Sequence, residues 1–255
     1  MIDFHNHVLV DVDDGPQDNE SVIKLLQQAH TEGVTDIIVT PHHLHPRYAM
    51  NIQCVEAKLL ELQNIEEVKQ LCINFYAGQE IRLTDQIITE IDEGFIQGIN
   101  GSRYLLIEFP SNEVPYYAKN LFYDLQTRGY IPIVAHPERN KEIIQNLDVL
   151  FEIINMGALS QLTSGSLTGV FGKNIKKLAL QMIDNNLVHF VGSDAHHAEH
   201  RPFLMKSLFQ DRKLKQYHNE LNDFLANAQK MIEDKQISKF KPTQDYKQKK
   251  WFGLI

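Results

Sequence analysis

The chain opens with MIDFHNHVLVDVDDGP, residues 1–16, and this stretch holds the first evidence for the fold. A short apolar run leads into His5 and His7, which are separated by one residue. On an extended segment the side chains at i and i+2 point to the same side, so both imidazoles can reach one ion. A polar turn sequence, DDGP, follows at residues 13–16. We therefore expect a strand over Ile2–His5 with metal-binding side chains at its carboxyl end.

Six more apolar runs, rich in β-branched residues, recur along the chain and are separated by longer segments with helical periodicity. The predicted strands are Ile2–His5, Asp36–Thr40, Ile73–Ala77, Tyr104–Phe109, Ile131–Ala135, Ala158–Leu162 and Leu187–Val191. Each run is continuously apolar rather than alternating, which is typical of a parallel sheet that is buried on both faces.

The segments between the strands predict helices. These are Asn19–Glu32, Ile52–Lys69, Tyr116–Arg128, Lys141–Asn155, Lys173–Asn185 and a long helix near Lys213–Asp234. Alternating strands and helices imply right-handed crossovers. Because the chain has seven such units and no Gly-rich phosphate-binding sequence, the pattern favours a barrel over an open nucleotide-binding sheet. We expect an α/β protein, a (β/α)7 barrel, with one domain over residues 1–255.

Composition argues against several classes of protein. The chain has 255 residues and a net charge of −8, which disfavours a nucleic-acid binder. No run approaches the roughly 18 apolar residues of a membrane span, and no basic start precedes an apolar stretch, as in a signal peptide. Cys54 and Cys72 form no CxxC pair, and neither has an arginine six positions later, as a cysteine-dependent tyrosine phosphatase requires. We expect passive thiols in a reducing cytoplasm.

Histidines and carboxylates cluster where the predicted strands end. Six of the seven strand ends are followed by such residues, which are His5, His7, Asp14, His42, Glu80, Glu108, His136, Asp194 and His196. The carboxyl ends of the strands in a parallel barrel converge on one face, where active sites are built. Any one of these residues alone has a structural explanation, and Asp14 before Gly-Pro reads as a turn residue. Their coincidence at six strand ends predicts one shared site.

The types of side chain indicate which metals the site would hold. Imidazoles and carboxylates without thiolates suit Mn²⁺, Zn²⁺ or Fe rather than Ca²⁺. A carboxylate such as Glu108, after the apolar run YLLI, is costly to bury unless a partner such as a cation compensates it. Nine ligands are too many for one ion, so we expect two or three ions that are bridged by a carboxylate or a water.

These motifs resemble those of the PHP (polymerase and histidinol phosphatase) superfamily. The matching stretches are HNHVLVDVDDGP, TPHH, GQE, SRYLLIEFP, AHPER and GSDAH, and they extend from Ile2 to about Phe203. The most similar branch is the metal-dependent protein-tyrosine phosphatases of bacterial capsular and exopolysaccharide operons (CpsB/CapC-like proteins). The resemblance implies a distorted seven-stranded β/α barrel with a trinuclear metal centre.

The resemblance also assigns residues to ions. The implied sets are His5, His7, Glu80 and Asp194 for one ion, Glu80 (as a bridge), Glu108 and His136 for a second, and Asp14, His42 and His196 for a third. Many PHP proteins carry a histidine in place of Asp14, whereas the tyrosine-phosphatase branch carries aspartate. Arg139 and Arg201 would clamp the phosphoryl group, for which bidentate guanidinium groups are suited. His42 is also a candidate to assist departure of the leaving group.

The function implied by the resemblance is Mn²⁺-dependent hydrolysis of phosphotyrosine in a protein, with Mg²⁺, Co²⁺, Fe or Zn²⁺ as alternative metals. No cysteine phosphoenzyme is needed. The implied substrate is the tyrosine-rich C-terminal tail of a membrane-associated tyrosine kinase. A cytoplasmic enzyme would then reach the inner face of the membrane through its partner, without inserting into it. The sequence indicates no oligomeric state.

Three rival functions share parts of this pattern. A PHP phosphatase for a small molecule such as histidinol phosphate would carry nearly the same ligands. A polymerase-type nuclease or proofreading domain is disfavoured by the acidic net charge. A metal-stabilised regulatory protein without catalytic activity would be favoured by a missing ligand, and no ligand of the motif set is missing.

The C-terminal stretch, about residues 235–255, differs from the rest in composition. It carries six lysines in 21 residues and ends in the apolar residues Trp251, Phe252, Leu254 and Ile255. Either these aromatic residues pack back on the body, or the stretch docks onto a partner or an anionic membrane surface.

Overall fold

The strands are parallel and pair in the order of the chain. The computed structural model describes residues 1–247, and its strands are β1 (Ile2–Asp3), β2 (Asp36–Val39), β3 (His42–His43), β4 (Asn74–Ala77), β5 (Glu80–Arg82), β6 (Tyr104–Glu108), β7 (Ile131–Val134), β8 (Leu159–Thr163) and β9 (Phe190–Gly192). One sheet has the order β1-β2-β4, and the other has the order β3-β5-β6-β7-β8-β9.

Seven of these segments overlap the seven predicted strands, whereas β3 and β5 are additional and lie just beyond the predicted ends at Thr40 and Ala77. β2 and β3 belong to one run that breaks at Thr40-Pro41, and β4 and β5 belong to one that breaks at Gly78-Gln79. A parallel bridge between Asn6 and Ala195 joins the first strand to the last. The curled sheet therefore meets itself, and the predicted distorted α/β barrel is confirmed.

The two interruptions lie side by side, just before two predicted ligands. Pro41 has no amide hydrogen to donate, and its carbonyl accepts a hydrogen bond from Glu80 N at 3.0 Å. Gly78 packs so closely that an added Cβ would lie 3.0 Å from Ile38 Cγ2. Beyond the breaks, β3 and β5 pair with His42 opposite Glu80. The distortion of the barrel thus occurs where the candidate site begins.

Helices connect the strands. They are α1 (Asn19–Thr31), α2 (Ile52–Gln63), α3 (Glu66–Lys69), α4 (Ile87–Asp92), α5 (Ala118–Thr127), α6 (Lys141–Gln145), α7 (Asp148–Asn155), α8 (Ser164–Thr168), α9 (Lys173–Asp184), α10 (Ser207–Gln210) and α11 (His218–Ile232). Short 3₁₀ turns cover Ile99–Gly101, Pro137–Arg139, Arg212–Tyr217 and Asp245–Lys247. α1 begins after Asp18, whose carboxylate accepts a hydrogen bond from Ser21 N at 2.7 Å.

The prediction of a single continuous helix is wrong for two segments. The segments Ile52–Lys69 and Lys141–Asn155 each form two helices, which are separated at Asn64 and Asn146. Asparagine side chains compete with helices for backbone hydrogen bonds. Asn146 Oδ1 accepts such a bond from Asp148 N at 3.2 Å, at the start of the next helix.

Other boundaries shift at the C-terminal end of the barrel. The last strand begins at Phe190, three residues later than predicted, and the long helix begins at His218 after a 3₁₀ turn. The short helices α4, α8 and α10 have only four to six residues, so apolar periodicity does not predict them.

The described part of the C-terminal stretch packs against the body. Tyr246 OH and Lys247 Nζ each lie 2.7 Å from a carboxylate oxygen of Asp148, and Tyr104 OH donates to Lys235 O at 2.7 Å. These contacts agree with packing against the body as far as residue 247. The predicted apolar end, residues 251–255, lies outside the described residues. Within residues 1–247, no helix is both long enough and apolar enough to cross a membrane.

Candidate metal centre

His5 and His7 follow β1 and are completely buried. The Nδ1–H of His5 donates to Gln161 Oε1 at 2.9 Å, and that of His7 donates to Asp13 Oδ2 at 2.6 Å. Because both partners are acceptors, Nδ1 holds the proton of the neutral ring, and each Nε2 carries a lone pair in that form. The two Nε2 atoms face Glu80, at 3.3 Å from Oε1 and 3.2 Å from Oε2. Two imidazole lone pairs therefore point at one region, as the HxH spacing predicts.

Glu80 lies at the centre of the cluster and is buried. Besides His5 and His7, its carboxylate contacts His136 Nε2 at 2.8 Å and lies 3.0 Å from His42 Nδ1. Burial raises the pKa of Glu80, but the nearby imidazoles, above all those of His5 and His42, outweigh burial and hold the pKa well below its usual value. A carboxylate that reaches four imidazoles is suited to bridge two ions.

Asp14 lies at the more exposed side of the cluster, beside His42 and His196. Its Oδ1 is 3.5 Å from His42 Nε2 and 3.3 Å from His196 Nε2. His196 Nδ1 donates to Asp194 O at 2.9 Å, which leaves its Nε2 to face Asp14. The predicted third set is thus brought together. His7 joins it, since ligand atoms of these four residues lie within 4.8 Å of one another.

Glu108 is grouped differently from the expectation. The predicted second set combines Glu80, Glu108 and His136, whereas the ligand atoms within 4.8 Å of one another belong to Glu108, Glu80 and His42. Glu108 Oε2 also accepts a hydrogen bond from Arg82 Nη1 at 2.8 Å. His136 contacts Glu80 but does not form a compact group with Glu108 within residues 1–247.

Asp194 connects the cluster to the two predicted arginines. Its Oδ1 lies 3.6 Å from the Nε2 atoms of both His5 and His7, while its Oδ2 accepts hydrogen bonds from Arg139 and, at 2.6 Å, from Arg201. Burial raises the pKa of Asp194, but the guanidinium groups of Arg139 and Arg201 outweigh burial and hold it well below its usual value. Both arginine side chains are about a third exposed, so a ligand can reach them.

Arg139 is held from a second side by an aromatic ring. The centroid of the Phe171 ring lies 5.2 Å from Arg139 Cζ, within the range of a cation–π contact. Gly165 makes room for this ring, since an added Cβ would lie 3.0 Å from Phe171 Cε2. His136, just before the turn that carries Arg139, has a left-handed φ of 31°. Such strain costs about 1–3 kcal/mol in a residue other than glycine and is concentrated at functional sites.

The imidazoles of the cluster have widely different pKa values. Burial lowers the pKa of His7, but Asp13 outweighs it and raises this pKa to about 9. Burial also lowers the pKa of His42, but the charge of Glu80 outweighs burial and raises this pKa to about 11. Burial and the charge of His7 lower the pKa of His196 to about 4. Metal ligation requires neutral imidazoles, so a bound cation would displace protons from this cluster.

Four buried polar atoms of the cluster have no hydrogen-bond partner among residues 1–247. They are His5 Nε2, His7 Nε2, His42 Nδ1 and Glu80 Oε2. An unpaired buried polar atom costs about 1–3 kcal/mol, so four around one point are unfavourable unless a ligand satisfies them. A divalent cation satisfies imidazole and carboxylate lone pairs together, and this donor set suits Mn²⁺, Zn²⁺ or Fe. The residues present therefore fit metal ions.

Asp13 is buried in this site, although it is not among the predicted site residues. Its Oδ2 accepts hydrogen bonds from His7 Nδ1 and, at 3.1 Å, from His42 N, while its Oδ1 accepts one from Gly15 N at 2.9 Å. An added Cβ at Gly15 would lie 2.3 Å from His7 O, so the turn requires glycine. The sequence signal for Asp13 is the pair of adjacent aspartates in DDGP. Neighbouring side chains in a turn point in different directions, so Asp13 and Asp14 reach different partners.

Gln161 is the second residue of the site that is not among the predicted residues. It lies on β8, the strand whose end carries no predicted ligand, and its Oε1 accepts hydrogen bonds from His5 Nδ1 and, at 3.3 Å, from His136 N. Gly192 allows this approach, since an added Cβ would lie 2.9 Å from His5 Cβ. A single amide within a strand has no distinguishing pattern.

Asp3 links the first strand to the last, below the cluster. Its carboxylate accepts hydrogen bonds from Ser193 N and Ser193 Oγ, both at 2.7 Å, and from Asn6 Nδ2 at 3.0 Å. Burial raises the pKa of Asp3 to about 6. This network holds the motif GSDAH against β1.

Other histidines near the site have different partners. His43 Nε2 donates to Glu90 Oε2 at 3.1 Å, and the His45 ring stacks on His42 at 4.7 Å between centroids. His189 is buried at the start of β9, and its Nδ1 accepts a hydrogen bond from Ser160 N at 3.2 Å. None of these three joins a compact group of metal-ligand atoms within residues 1–247.

Known proteins resemble this chain over most or all of its length. A family model described as "Capsular polysaccharide synthesis, CpsB/CapC" matches residues 1–233. CapC of Staphylococcus aureus, which is provisionally named a tyrosine-protein phosphatase, is 63% identical over 255 residues, and the match covers 100% of both chains.

Solved structures give the same relationship in three dimensions. A chain from the crystal structures of YwqE from Bacillus subtilis and CpsB from Streptococcus pneumoniae, described as unique metal-dependent tyrosine phosphatases, matches with a TM-score of 0.87 and 36% identity, over 95% of this chain and 98% of that chain. Histidinol phosphate phosphatase from Lactococcus lactis matches with a TM-score of 0.52 and 16% identity, over 85% of this chain and 92% of that chain. The second likeness extends to the fold alone.

Proposed function

The chain belongs to the CpsB/CapC family of capsular polysaccharide synthesis, and from this membership we propose that it is a metal-dependent protein-tyrosine phosphatase. The proposed reaction is hydrolysis of an O-phosphotyrosine ester in a protein. The observation that carries the proposal is a set of buried imidazole and carboxylate atoms around Glu80 that have no hydrogen-bond partner among residues 1–247 and are suited to bind a metal. They lie next to two arginines that are held by Asp194. The names of full-length relatives support it.

The metal ligands that we propose are those at the strand ends. They are His5, His7, Asp14, His42, Glu80, Glu108, His136, Asp194 and His196. We propose two or three ions per chain, with Mn²⁺ as the metal and Mg²⁺, Co²⁺, Fe or Zn²⁺ as alternatives. Such ions, when bound, supply a water that is acidic enough to act as a nucleophile near neutral pH, together with positive charge for the phosphoryl oxygens.

The chain itself binds and orients the phosphoryl group through Arg139 and Arg201. A guanidinium fork matches two phosphoryl oxygens. Because Asp194 and Phe171 already hold Arg139, little reorganisation is needed when charge develops on those oxygens. The buried Asp194 keeps both arginines on the side of the cluster that a substrate can reach.

The leaving group needs little help from a protein acid. A phenolate has a solution pKa of about 10 and departs more readily than an alkoxide. His42, the candidate from the sequence, faces Glu80 with one ring nitrogen and Asp14 with the other. This arrangement favours His42 as a ligand rather than as a proton donor.

The proposed partner is the phosphotyrosine-bearing C-terminal tail of a membrane-associated tyrosine kinase, which would be met in the cytoplasm at the inner face of the membrane. Membership of a capsule-synthesis family supports a tyrosine-phosphorylated substrate. The basic stretch from about residue 235 is a candidate contact with that kinase. Kinase binding by the full chain should exceed that of a version ending at Ile237, and equal binding would remove this role.

The direct test is phosphate release from a phosphotyrosine peptide. EDTA should abolish it and Mn²⁺ should restore it. His136→Ala should lose activity while remaining folded, and wild-type activity in this variant would contradict the proposed ligand set. Cys54 and Cys72 are exposed thiols, so the double serine variant should keep full activity. Loss of activity there without unfolding would instead favour a cysteine nucleophile.

A small-molecule phosphatase is the second candidate. It would use nearly the same ligands, and the chain shares its fold with histidinol phosphate phosphatase. Histidinol phosphate and a phosphotyrosine peptide should be compared at equal enzyme and Mn²⁺ concentrations. Faster hydrolysis of histidinol phosphate would replace the proposed function with this one.

A further inference from the structure

A groove runs along α9 on the outside of the barrel, and we name it the α9 groove. It has a volume of about 790 Å³ and lies between α9, the 3₁₀ turn Arg212–Tyr217 and the turn Asp245–Lys247; its wall includes Lys173, Lys177, Leu180, Lys213, Tyr217 and Tyr246. Binding pockets for small molecules typically measure about 300–1,000 Å³, so the volume is sufficient for several side chains of a ligand.

The α9 groove begins next to the proposed phosphate-binding arginine. Lys173 is the first residue of α9, and it follows Phe171 by two positions. The Phe171 ring contacts Arg139. A helix that follows a strand of a parallel barrel starts at the face where the strands end, so α9 descends from the face of the metal cluster. The upper end of the groove and Arg139 therefore lie on the same face of the barrel, linked by the contact of Phe171 with Arg139 and the short step from Phe171 to Lys173.

The upper end of the α9 groove carries unpaired positive charge. Lys176 is paired with Asp211 at 2.6 Å. Within residues 1–247, by contrast, the side-chain ammonium groups of the exposed residues Lys173, Lys177 and Lys213 have no carboxylate oxygen within 4.0 Å, while the backbone N–H of Lys213 donates to Asp211 Oδ1 at 2.9 Å. The carboxylates that line the groove, Asp184 among them, lie at its lower end. This local basic surface contrasts with the net charge of −8 for the whole chain.

The remainder of the wall is suited to a polypeptide rather than to a free anion. Leu180 and the rings of Tyr217 and Tyr246 add apolar surface below the lysines. α9 has 12 residues and is therefore about 18 Å long, which matches about five residues of extended chain. A ligand that used both parts would have anionic groups near the metal cluster and ordinary side chains further along.

We infer that the α9 groove binds the segment of substrate polypeptide next to the phosphotyrosine and selects segments that carry anionic groups, either carboxylates or further phosphates. This inference rests on the proposed function, because it needs a phosphotyrosine at Arg139. The lysines make the groove a determinant of which protein is dephosphorylated, separate from the chemistry at the metal cluster.

The test compares Lys173→Glu/Lys177→Glu with the wild-type chain on four substrates. These are para-nitrophenyl phosphate and phosphotyrosine peptides whose flanks are neutral, rich in glutamate or doubly phosphorylated. We expect kcat/KM to fall about 5- to 30-fold for the anionic peptides, mainly through KM, and to stay unchanged for the other two substrates. The glutamate and phosphate arms show which anion the groove prefers. Folding should be preserved, since both lysines are exposed and an acidic residue in place of Lys173 is favourable at the start of the helix.

The matched control is Lys58→Glu/Lys69→Glu, which makes the same change in net charge on α2 and α3. The inference is wrong if kcat/KM for the anionic peptides falls equally in both double variants. It is also wrong if kcat/KM of Lys173→Glu/Lys177→Glu falls equally on all four substrates. Fluorescence anisotropy of the anionic peptides on EDTA-treated protein tests the groove without turnover, so inactivity of the wild-type chain would overturn only the proposed function. Peptide affinity that is unchanged in Lys173→Glu/Lys177→Glu but rises on removal of residues 248–255 would assign the groove to the end of this chain and overturn the inference.

Discussion

Replacing Asp13 by asparagine should weaken metal binding without unfolding the protein. The Asp13 carboxylate accepts three hydrogen bonds, from His7 Nδ1 at 2.6 Å, from His42 N at 3.1 Å and from Gly15 N at 2.9 Å. Asparagine has the same shape but only one acceptor oxygen. If that oxygen keeps the bonds from His7 and His42, the amide NH₂ faces the N–H of Gly15, and two donors meet. At least one bond is therefore lost in either orientation.

The size of the effect follows from these contacts. A hydrogen bond to a charged group contributes about 1.5–3 kcal/mol and one between neutral groups about 0.5–1.5 kcal/mol, so removing the charge costs His7 roughly 1 kcal/mol. Where the amide turns its NH₂ toward His7, the bond from His7 Nδ1 is lost as well, which adds about another 1 kcal/mol. Together they correspond to a roughly 30-fold weaker affinity at the ions that His7 contacts. This value lies within the 10- to 100-fold effect typical of residues that orient metal-bound histidines.

The assay is calorimetric titration of Mn²⁺ into metal-free protein, together with the Mn²⁺ concentration for half-maximal activity. Both should shift to higher concentration in Asp13→Asn, while KM for a phosphotyrosine peptide at saturating Mn²⁺ stays constant. Asp18→Asn is the matched control, because it removes one carboxylate from the start of α1 and asparagine caps helices equally well. Mn²⁺ affinity within threefold of wild type in Asp13→Asn, or an equal loss in Asp18→Asn, would refute the argument.

Three further outcomes are expected. Burial lowers the pKa of His189 to about 3, so the free energy of unfolding falls by about 1.4 kcal/mol per pH unit as the pH drops below 6.5. In urea unfolding, the free energy of unfolding of His189→Gln should therefore depend less steeply on pH than that of the wild-type chain. Asp3, whose pKa is raised, contributes in the opposite direction to both proteins, so its contribution cancels in their difference. Phe171→Leu should raise the inhibition constant of inorganic phosphate about 3- to 10-fold by freeing Arg139, whereas Val170→Ala should not; equal constants would exclude the ring contact. Mn²⁺ binding at pH 7 should release protons, because the imidazoles with raised pKa must become neutral; calorimetry in buffers of different ionisation enthalpy measures this, and an enthalpy independent of buffer would contradict it.

The architecture could be predicted from the sequence because buried parallel strands leave a strong pattern. Seven continuous apolar runs correspond to seven strands in chain order, including Ala158–Leu162. The interruptions at Thr40-Pro41 and Gly78-Gln79 could not be predicted, since they depend on packing between neighbouring strands. The split helices show a similar limit, because each break begins at an asparagine inside a segment whose apolar pattern continues.

The membership of the site was easier to predict than its grouping. A strand end tells which side chains reach the common face, so the nine candidates could be named from position alone. Which of them share an ion depends on side-chain torsions and on support from other residues. Glu108 turns toward Arg82 and His42, and this turn separates it from His136. The exposed fraction separates the adjacent aspartates in the same way, since Asp13 is buried and the Asp14 side chain is 37% exposed.

β8, the strand without a predicted ligand, orients residues that other strands bring to the site. β8 supplies no histidine or carboxylate, yet Gln161 on this strand bonds to both His5 and the backbone of His136. At the end of β8, Thr163 N donates to the buried carboxylate of Glu138 at 2.9 Å, and Glu138 lies in the turn that carries Arg139. One strand thus fixes an imidazole of the first set, the position of His136 and the base of the arginine that we propose to bind phosphate. A residue that orients a ligand needs only a hydrogen-bond acceptor or an amide, so many residue types can serve and no sequence motif marks the position. Metal ligands, by contrast, are confined to a few residue types, which can be recognised in a sequence.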